Sequence, residues 1–221
     1  MAERELDPDR RLALEQLPRD IRPSFEALWS LDRAFADIIS TTSDPRLGAI
    51  RLAWWRERLE ALDRGDPVPA EPRLHAVARH LVPAAGSGDE LSQLEDAWLN
   101  MLHPFPWGFS EADGVRLRGR ILFRVGARLL EGDPNRAMAA GELWSLIDVA
   151  SHCSNEASRN YLLDEARKVV LGGKTPRTLR SLTIITAVAV EGVRRPSSSL
   201  ARGLAALSHR LTGRIPQLPP K

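Results

Sequence analysis

The stretch Asp44-Pro45-Arg46-Leu47-Gly48-Ala49-Ile50-Arg51-Leu52-Ala53-Trp54-Trp55-Arg56-Glu57-Arg58-Leu59-Glu60-Ala61-Leu62 decides the fold. Its helical boundaries are written locally. Ser43 or Asp44 can cap the free amides of a helix that starts at Pro45, where a missing N–H costs nothing, and Gly65 follows the last periodic residue. Leu52, Trp55, Leu59 and Leu62 fall on one face at helical spacing, and Arg51, Trp55 and Arg58 share an adjoining edge.

Outward from this segment the same pattern repeats. Ala, Leu, Arg and Glu recur at three- and four-residue spacing between Pro and Gly breaks, and strand signals are almost absent, so the chain reads as all-α. Asp7-Pro8 opens a short helix through Leu17, and Pro23 begins a longer one ending near Thr41. On that longer helix Phe25, Leu28, Phe35, Ala36 and Ile39 form an apolar arc that contains Asp32. Helices follow around Arg73 to Leu81, ending at Pro83, and from an Asp89 cap through Leu102. The turn His103-Pro104-Phe105-Pro106-Trp107-Gly108 is expected to pack as a plug. Further helices span Val115 to Leu130, Arg136 to Ala150, Asn155 through Val170, Pro176 onward with Leu179, Leu182 and Ile185 buried, and a last one with Leu200, Leu204, Leu207 and Leu211 on its apolar face.

At 221 residues and 43% hydrophobic side chains the chain can bury one sizeable core. A single domain over 1–214 is expected, with 215–221 as a proline-rich disordered tail lacking a core. The 31 basic and 29 acidic residues nearly cancel, so global charge does not point to nucleic acid. Cys153 is the only cysteine, which excludes an intrachain disulfide and a thiolate cluster and fits a reducing compartment. No apolar run is long enough to span a bilayer. A cytoplasmic protein is expected, with peripheral membrane contact left open.

Three features invite chemistry. Asp32, inside an apolar arc, is either a functional carboxylate or a buried one paired to an arginine of the Trp-Trp helix, because an unpaired buried charge is expensive. Arg116, Arg120, Arg124 and Arg128, spaced by four, form a stripe that can bind phosphate or RNA or can bridge to neighbouring helices. With Phe123 alone interleaved, base stacking is not suggested. The five histidines show no metal-ligand spacing, and Cys153 reads as a buried structural thiol.

Arg51-Leu52-Ala53-Trp54-Trp55-Arg56-Glu57 resembles the R-L-x-W-W-R segment of the squalene/phytoene synthase family, the head-to-head trans-isoprenyl diphosphate synthases. Ala27-Leu28-Trp29-Ser30-Leu31-Asp32-Arg33-Ala34-Phe35-Ala36-Asp37-Ile38-Ile39-Ser40 is similar to the helix with the family's first aspartate-rich motif. The resemblance implies an isoprenoid-synthase-like helical bundle with a central groove, Trp54 and Trp55 anchoring its side. It also implies Mg²⁺ held by two facing aspartate-rich helices to ionise an allylic diphosphate. By that likeness Arg33, Arg51 and Arg56 are diphosphate-binding candidates, and Asp37, Asp148 and Glu156 are candidate metal ligands. Ala36 and Ser40 stand where other aspartates are expected, and Asp148 and Glu156 are eight residues apart. The implied reading is therefore a catalytically impaired relative that binds an isoprenoid, a lipid or a protein partner, as assembly-factor-like members of the family do. The alternative is an active prenyltransferase of terpenoid biosynthesis, with Mg²⁺ required only in that case.

Overall fold

A computed structural model describes residues 7–220, and among them every regular element is helical. Asp7 accepts from the amides of Asp9 and Arg10 to start α1 (Pro8–Glu15), and α2 (Arg22–Thr41) follows. The Trp-Trp segment forms α3 (Pro45–Asp63). Asp44 is its cap, accepting from the Arg46 amide, and Gly65 at φ 74° takes the left-handed exit that residues with a Cβ rarely adopt. Leu52, Trp55 and Leu59 are buried as their spacing predicts.

The next helix runs past the expected stop. Pro83 has no N–H to donate. It is accommodated where α4 (Pro72–Ala76) widens into a π turn, Val77–Leu81, before α5 (Val82–Ala85). The Ser24 hydroxyl donates to the His80 carbonyl at 2.7 Å and ties this turn to α2. The cap of α6 (Gly88–Ser92) is Ser87 rather than Asp89. Asp63 adds a second anchor, accepting from the Gly88 and Asp89 amides. Helix α7 (Leu94–Leu99) leads into the aromatic turn at 103–108. That turn lies mostly at the surface, with Phe105 exposed; Trp107 packs partly on the core, and its amide donates to the Ser158 hydroxyl.

Helices α8 (Phe109–Leu129) and α9 (Asn135–His152) form the centre. Their backbones touch at two glycines: a Cβ at Gly119 would lie 2.1 Å from the Gly141 carbonyl oxygen. No larger residue permits this approach. Asn155 caps α10 (Glu156–Arg167), which ends before Val170 and leaves that side chain exposed. A short 3₁₀ turn leads into α11 (Arg180–Arg194), and α12 (Ser199–Thr212) is the last helix.

One apolar cluster runs from Ala13 on α1 to Ala206 on α12. Residues 213–220 have no regular secondary structure, yet Ile215 and Leu218 pack on that cluster and the Pro219 carbonyl accepts from Arg167. The coreless tail expected from its prolines is corrected to that extent. The leucines of α12, Leu200, Leu204, Leu207 and Leu211, face outward, and Ala201, Ala206 and His209 face inward. No described helix is long and apolar enough to cross a membrane.

Candidate functional site

Four helices meet at a buried charge cluster. Arg118 of α8 donates from Nε and Nη2 to the two carboxylate oxygens of Asp32 on α2, both at 2.7 Å. The same Nη2 donates to Asp148 of α9 at 2.8 Å, and Nη1 donates to the Ser145 hydroxyl at 3.1 Å. Arg10 of α1 adds a 2.9 Å bond to Asp32 and lies 3.7 Å from Asp148. Asp32 and Arg118 are almost fully excluded from solvent. Indoles enclose the cluster: the Arg118 guanidinium lies 4.9 Å from the Trp98 ring centre and 4.7 Å from that of Trp144, and Arg10 lies over Trp29 and Trp144.

The electrostatics follow from this packing. Burial works against the charged form of Arg118, but Asp32 and Asp148 outweigh it and raise its pKa. Burial likewise opposes ionisation of Asp148, yet Arg118 and Arg10 hold its pKa below the ordinary carboxylate value. Two guanidinium groups offset Asp32 and Asp148, and Arg10 Nη1 also pairs with Asp7 at 2.8 Å at the edge of the cluster.

Asp32 is therefore paired, as one of its two readings required, but with Arg118 and Arg10 rather than with an arginine of the Trp-Trp helix. The central groove expected between α2 and α9 is occupied. Trp29 and Trp144 stand 5.6 Å apart there beside the two arginines. Trp55 anchors α3 by packing on Phe35 at 5.9 Å, whereas Trp54 stays partly exposed at its edge.

The other candidates do not converge. Asp37 bonds Arg33 within α2 and Arg73 of α4, at 2.9 and 3.1 Å. Arg51 donates to the Thr42 hydroxyl at 2.8 Å, tying the α2–α3 corner, and Arg56 lies near Glu60 and Glu95. Glu156 is exposed in the first turn of α10. Among the described residues, no group of three or more His, Cys, Asp or Glu side chains is placed to hold a metal ion.

The donor set present does not fit Mg²⁺. A hard cation needs several free oxygen ligands, but Asp32, Asp148 and Asp37 are each engaged by arginine. The buried polar atoms left without partners beside the cluster, Arg10 Nε, Trp29 Nε1 and Trp98 Nε1, are all donors, which repel a cation.

The arginine stripe of α8 resolves into bridges between helices. Arg116 meets Glu165, Arg120 meets Glu142 at 3.3 Å, and Arg124 and Arg128 both meet Glu90. Cys153 is buried, as its structural reading expects.

A second feature lies across the bundle. A groove of about 630 Å³ runs between α9, the end of α10 and the C-terminal segment. Leu143, Val169, Leu171 and Ile215 give it apolar walls, Arg167, Lys174 and Arg214 give it cations, and no acidic residue lines it.

Residues 4–100 match the family model described as squalene/phytoene synthase. Over that stretch, somewhat less than half of the chain, the sequence is similar to the squalene/phytoene synthase family. No curated protein and no solved structure matches it. The all-α bundle agrees with the isoprenoid-synthase-like fold of the squalene/phytoene synthase family. The matched stretch contains Arg10, Asp32, Asp37 and the Trp-Trp segment, and Arg118, Asp148 and the basic groove lie beyond it.

Sequence reasoning singled out Asp32 and Asp148 but missed Arg10 and Arg118. The available signal was periodicity. Arg118 lies between Val115 and Leu122 on the buried arc of α8, and Arg10 precedes Ala13 and Leu14 on that of α1.

Proposed function

We propose that this chain is a squalene/phytoene synthase-like protein without prenyl-transfer activity, working in the cytoplasm by binding an anionic isoprenoid. The observation that carries this reading is Arg118 Nη2 bridging Asp32 and Asp148. In the family's chemistry, carboxylates on two facing helices must present oxygens to Mg²⁺, which in turn holds the diphosphate. Here the facing carboxylates of α2 and α9 present theirs to one guanidinium. Removing Arg118 from between them leaves Asp32 with Arg10 alone and takes the closest partner from Asp148, so opening the site is energetically opposed.

The basic groove supports isoprenoid binding over partner binding. Apolar walls suit a polyprenyl chain, and Lys174 and Arg214 suit a diphosphate head beside Arg167, whose Nη1 is paired with Asp164 and whose Nε donates to the Pro219 carbonyl.

Two measurements test the reading. Farnesyl diphosphate should raise the melting temperature without requiring Mg²⁺, and Arg167→Ala with Arg214→Ala should abolish the rise. Incubation with farnesyl or geranylgeranyl diphosphate and Mg²⁺ should consume neither. Mg²⁺-dependent consumption lost in Asp37→Asn would establish the active prenyltransferase, with Asp37, Asp148 and Glu156 as ligands. Absence of any ligand shift, together with a stable co-purifying protein, would establish the assembly-factor-like role instead.

A further inference from the structure

Helix α12 is docked with its apolar stripe outward. At about 100° per residue Leu200, Leu204, Leu207 and Leu211 fall within about 60° of arc, and they are 73%, 56%, 54% and 70% exposed. The opposite side holds Ala201, Ala206 and His209 against α11, where small side chains allow close approach.

Polar anchors fix this orientation. His209 Nε2 lies 2.8 Å from the Thr183 hydroxyl on α11, and its Nδ1 lies 3.1 Å from the Arg214 carbonyl. Arg180 donates to the carbonyls of Arg210 and Leu211 at the end of α12, and the Thr175 amide donates to the Gly213 carbonyl. Rotating the helix to bury the leucines would break the His209–Thr183 contact and put four leucines where alanines now fit.

Charge identifies what covers the stripe. From Gly192 to Lys221 the chain has no acidic residue and carries Arg194, Arg195, Arg202, Arg210, Arg214 and Lys221. Glu191, just before this run, pairs with Arg194 and Arg195; these two and Arg214 line the recess beside Leu204, and Arg210 is exposed on α12, whereas Arg202 turns inward towards Asp9. A second copy of α12 would bring arginines against arginines. An anionic bilayer presents a negative surface for the arginines and an acyl boundary for the leucines.

We propose that α12 is a membrane-docking helix that seats Leu200, Leu204, Leu207 and Leu211 in the interface of a bilayer containing anionic lipid. The seat adjoins the basic groove, since Arg214, Ile215 and Pro216 line both that groove and the recess beside Leu204. The docking does not depend on the groove's ligand or on the loss of prenyl transfer.

Vesicle flotation of the full chain tests it. The protein should float with vesicles in which about one lipid in three is phosphatidylglycerol and the rest phosphatidylcholine, and at least about tenfold less with pure phosphatidylcholine or in high salt. Leu204→Gln with Leu207→Gln should reduce flotation by a similar factor while keeping the wild-type melting temperature, because both sites are exposed. No flotation with the anionic vesicles, or equal flotation of the double variant, overturns the proposal. So does a concentration-dependent dimer, dissolved by the double variant, in a protein that ignores vesicles; a second copy then covers the stripe.

Discussion

Arg118 holds Asp32 in a two-point fork, Nε on one carboxylate oxygen and Nη2 on the other, each at 2.7 Å with both side chains out of solvent. The fork joins α8 to α2, and its second bond from Nη2 joins both to Asp148 on α9. Three helices distant in sequence therefore depend on one planar cation.

Replacing Arg118 with Met removes that cation and keeps much of its volume. Asp32 then retains only Arg10, and Asp148 loses its closest partner. Breaking a buried pair from one side costs about 3–5 kcal/mol, and a loss in this range is expected from the urea midpoint at constant slope. Arg118→Lys should lose less, because it keeps the charge but not the fork. A change under about 1 kcal/mol for Arg118→Met would show that the cluster does not hold the bundle together.

Gly119 and Gly141 set the distance over which Arg118 reaches Asp148 and Ser145. Gly119→Ala pushes a methyl to 2.1 Å from a backbone oxygen, so α8 and α9 must separate. A destabilisation of about 3 kcal/mol is expected. Because separation also lengthens the Arg118–Asp148 contact, the effects of Gly119→Ala and Arg118→Met should be non-additive by more than about 0.5 kcal/mol in a double-mutant cycle.

Asp37 behaves differently from Asp32 although both lie on α2. Its partners Arg33 and Arg73 are, like Asp37 itself, partly exposed. Asp37→Asn should change stability by less than about 1 kcal/mol in chemical denaturation. Asp32→Asn should cost several-fold more, since it leaves Arg118 and Arg10 short of a buried counter-charge.

The helices were legible because caps and periodicity are local: Asp44 before Pro45, Asn155 before Glu156, and Asp7 before Pro8 all act as their chemistry predicts. Asp32 was legible as a problem, being a charge on an apolar arc, but its partner was not. Choosing among many arginines requires knowing that α1 and α8 both lie against α2, a tertiary relation. The same limit explains α12. Periodicity shows that its four leucines share a face but not which way the face points. His209 and Thr183, far apart in sequence, decide that.

His209 gives the docking of α12 a pH dependence. Burial lowers its pKa below the ordinary imidazole value of 6.5. Burial and nearby Arg180 both disfavour a second proton on the ring, which lies between the Arg214 carbonyl at Nδ1 and the Thr183 hydroxyl at Nε2, that hydroxyl itself donating to the Leu179 carbonyl. Because the folded pKa is the lower one, the unfolded chain binds more protons in the window between the two values, and stability rises with pH across it. The contribution is therefore complete above about pH 7 and declines as pH falls through 6.5. Asp148, whose folded pKa lies below 3.8, loses its contribution only in a more acidic range. Melts from pH 7.5 to 5 should show stability falling in the wild type. In His209→Gln they should show a lower but flatter curve. Parallel curves would place the acid sensitivity elsewhere than at the seat of α12.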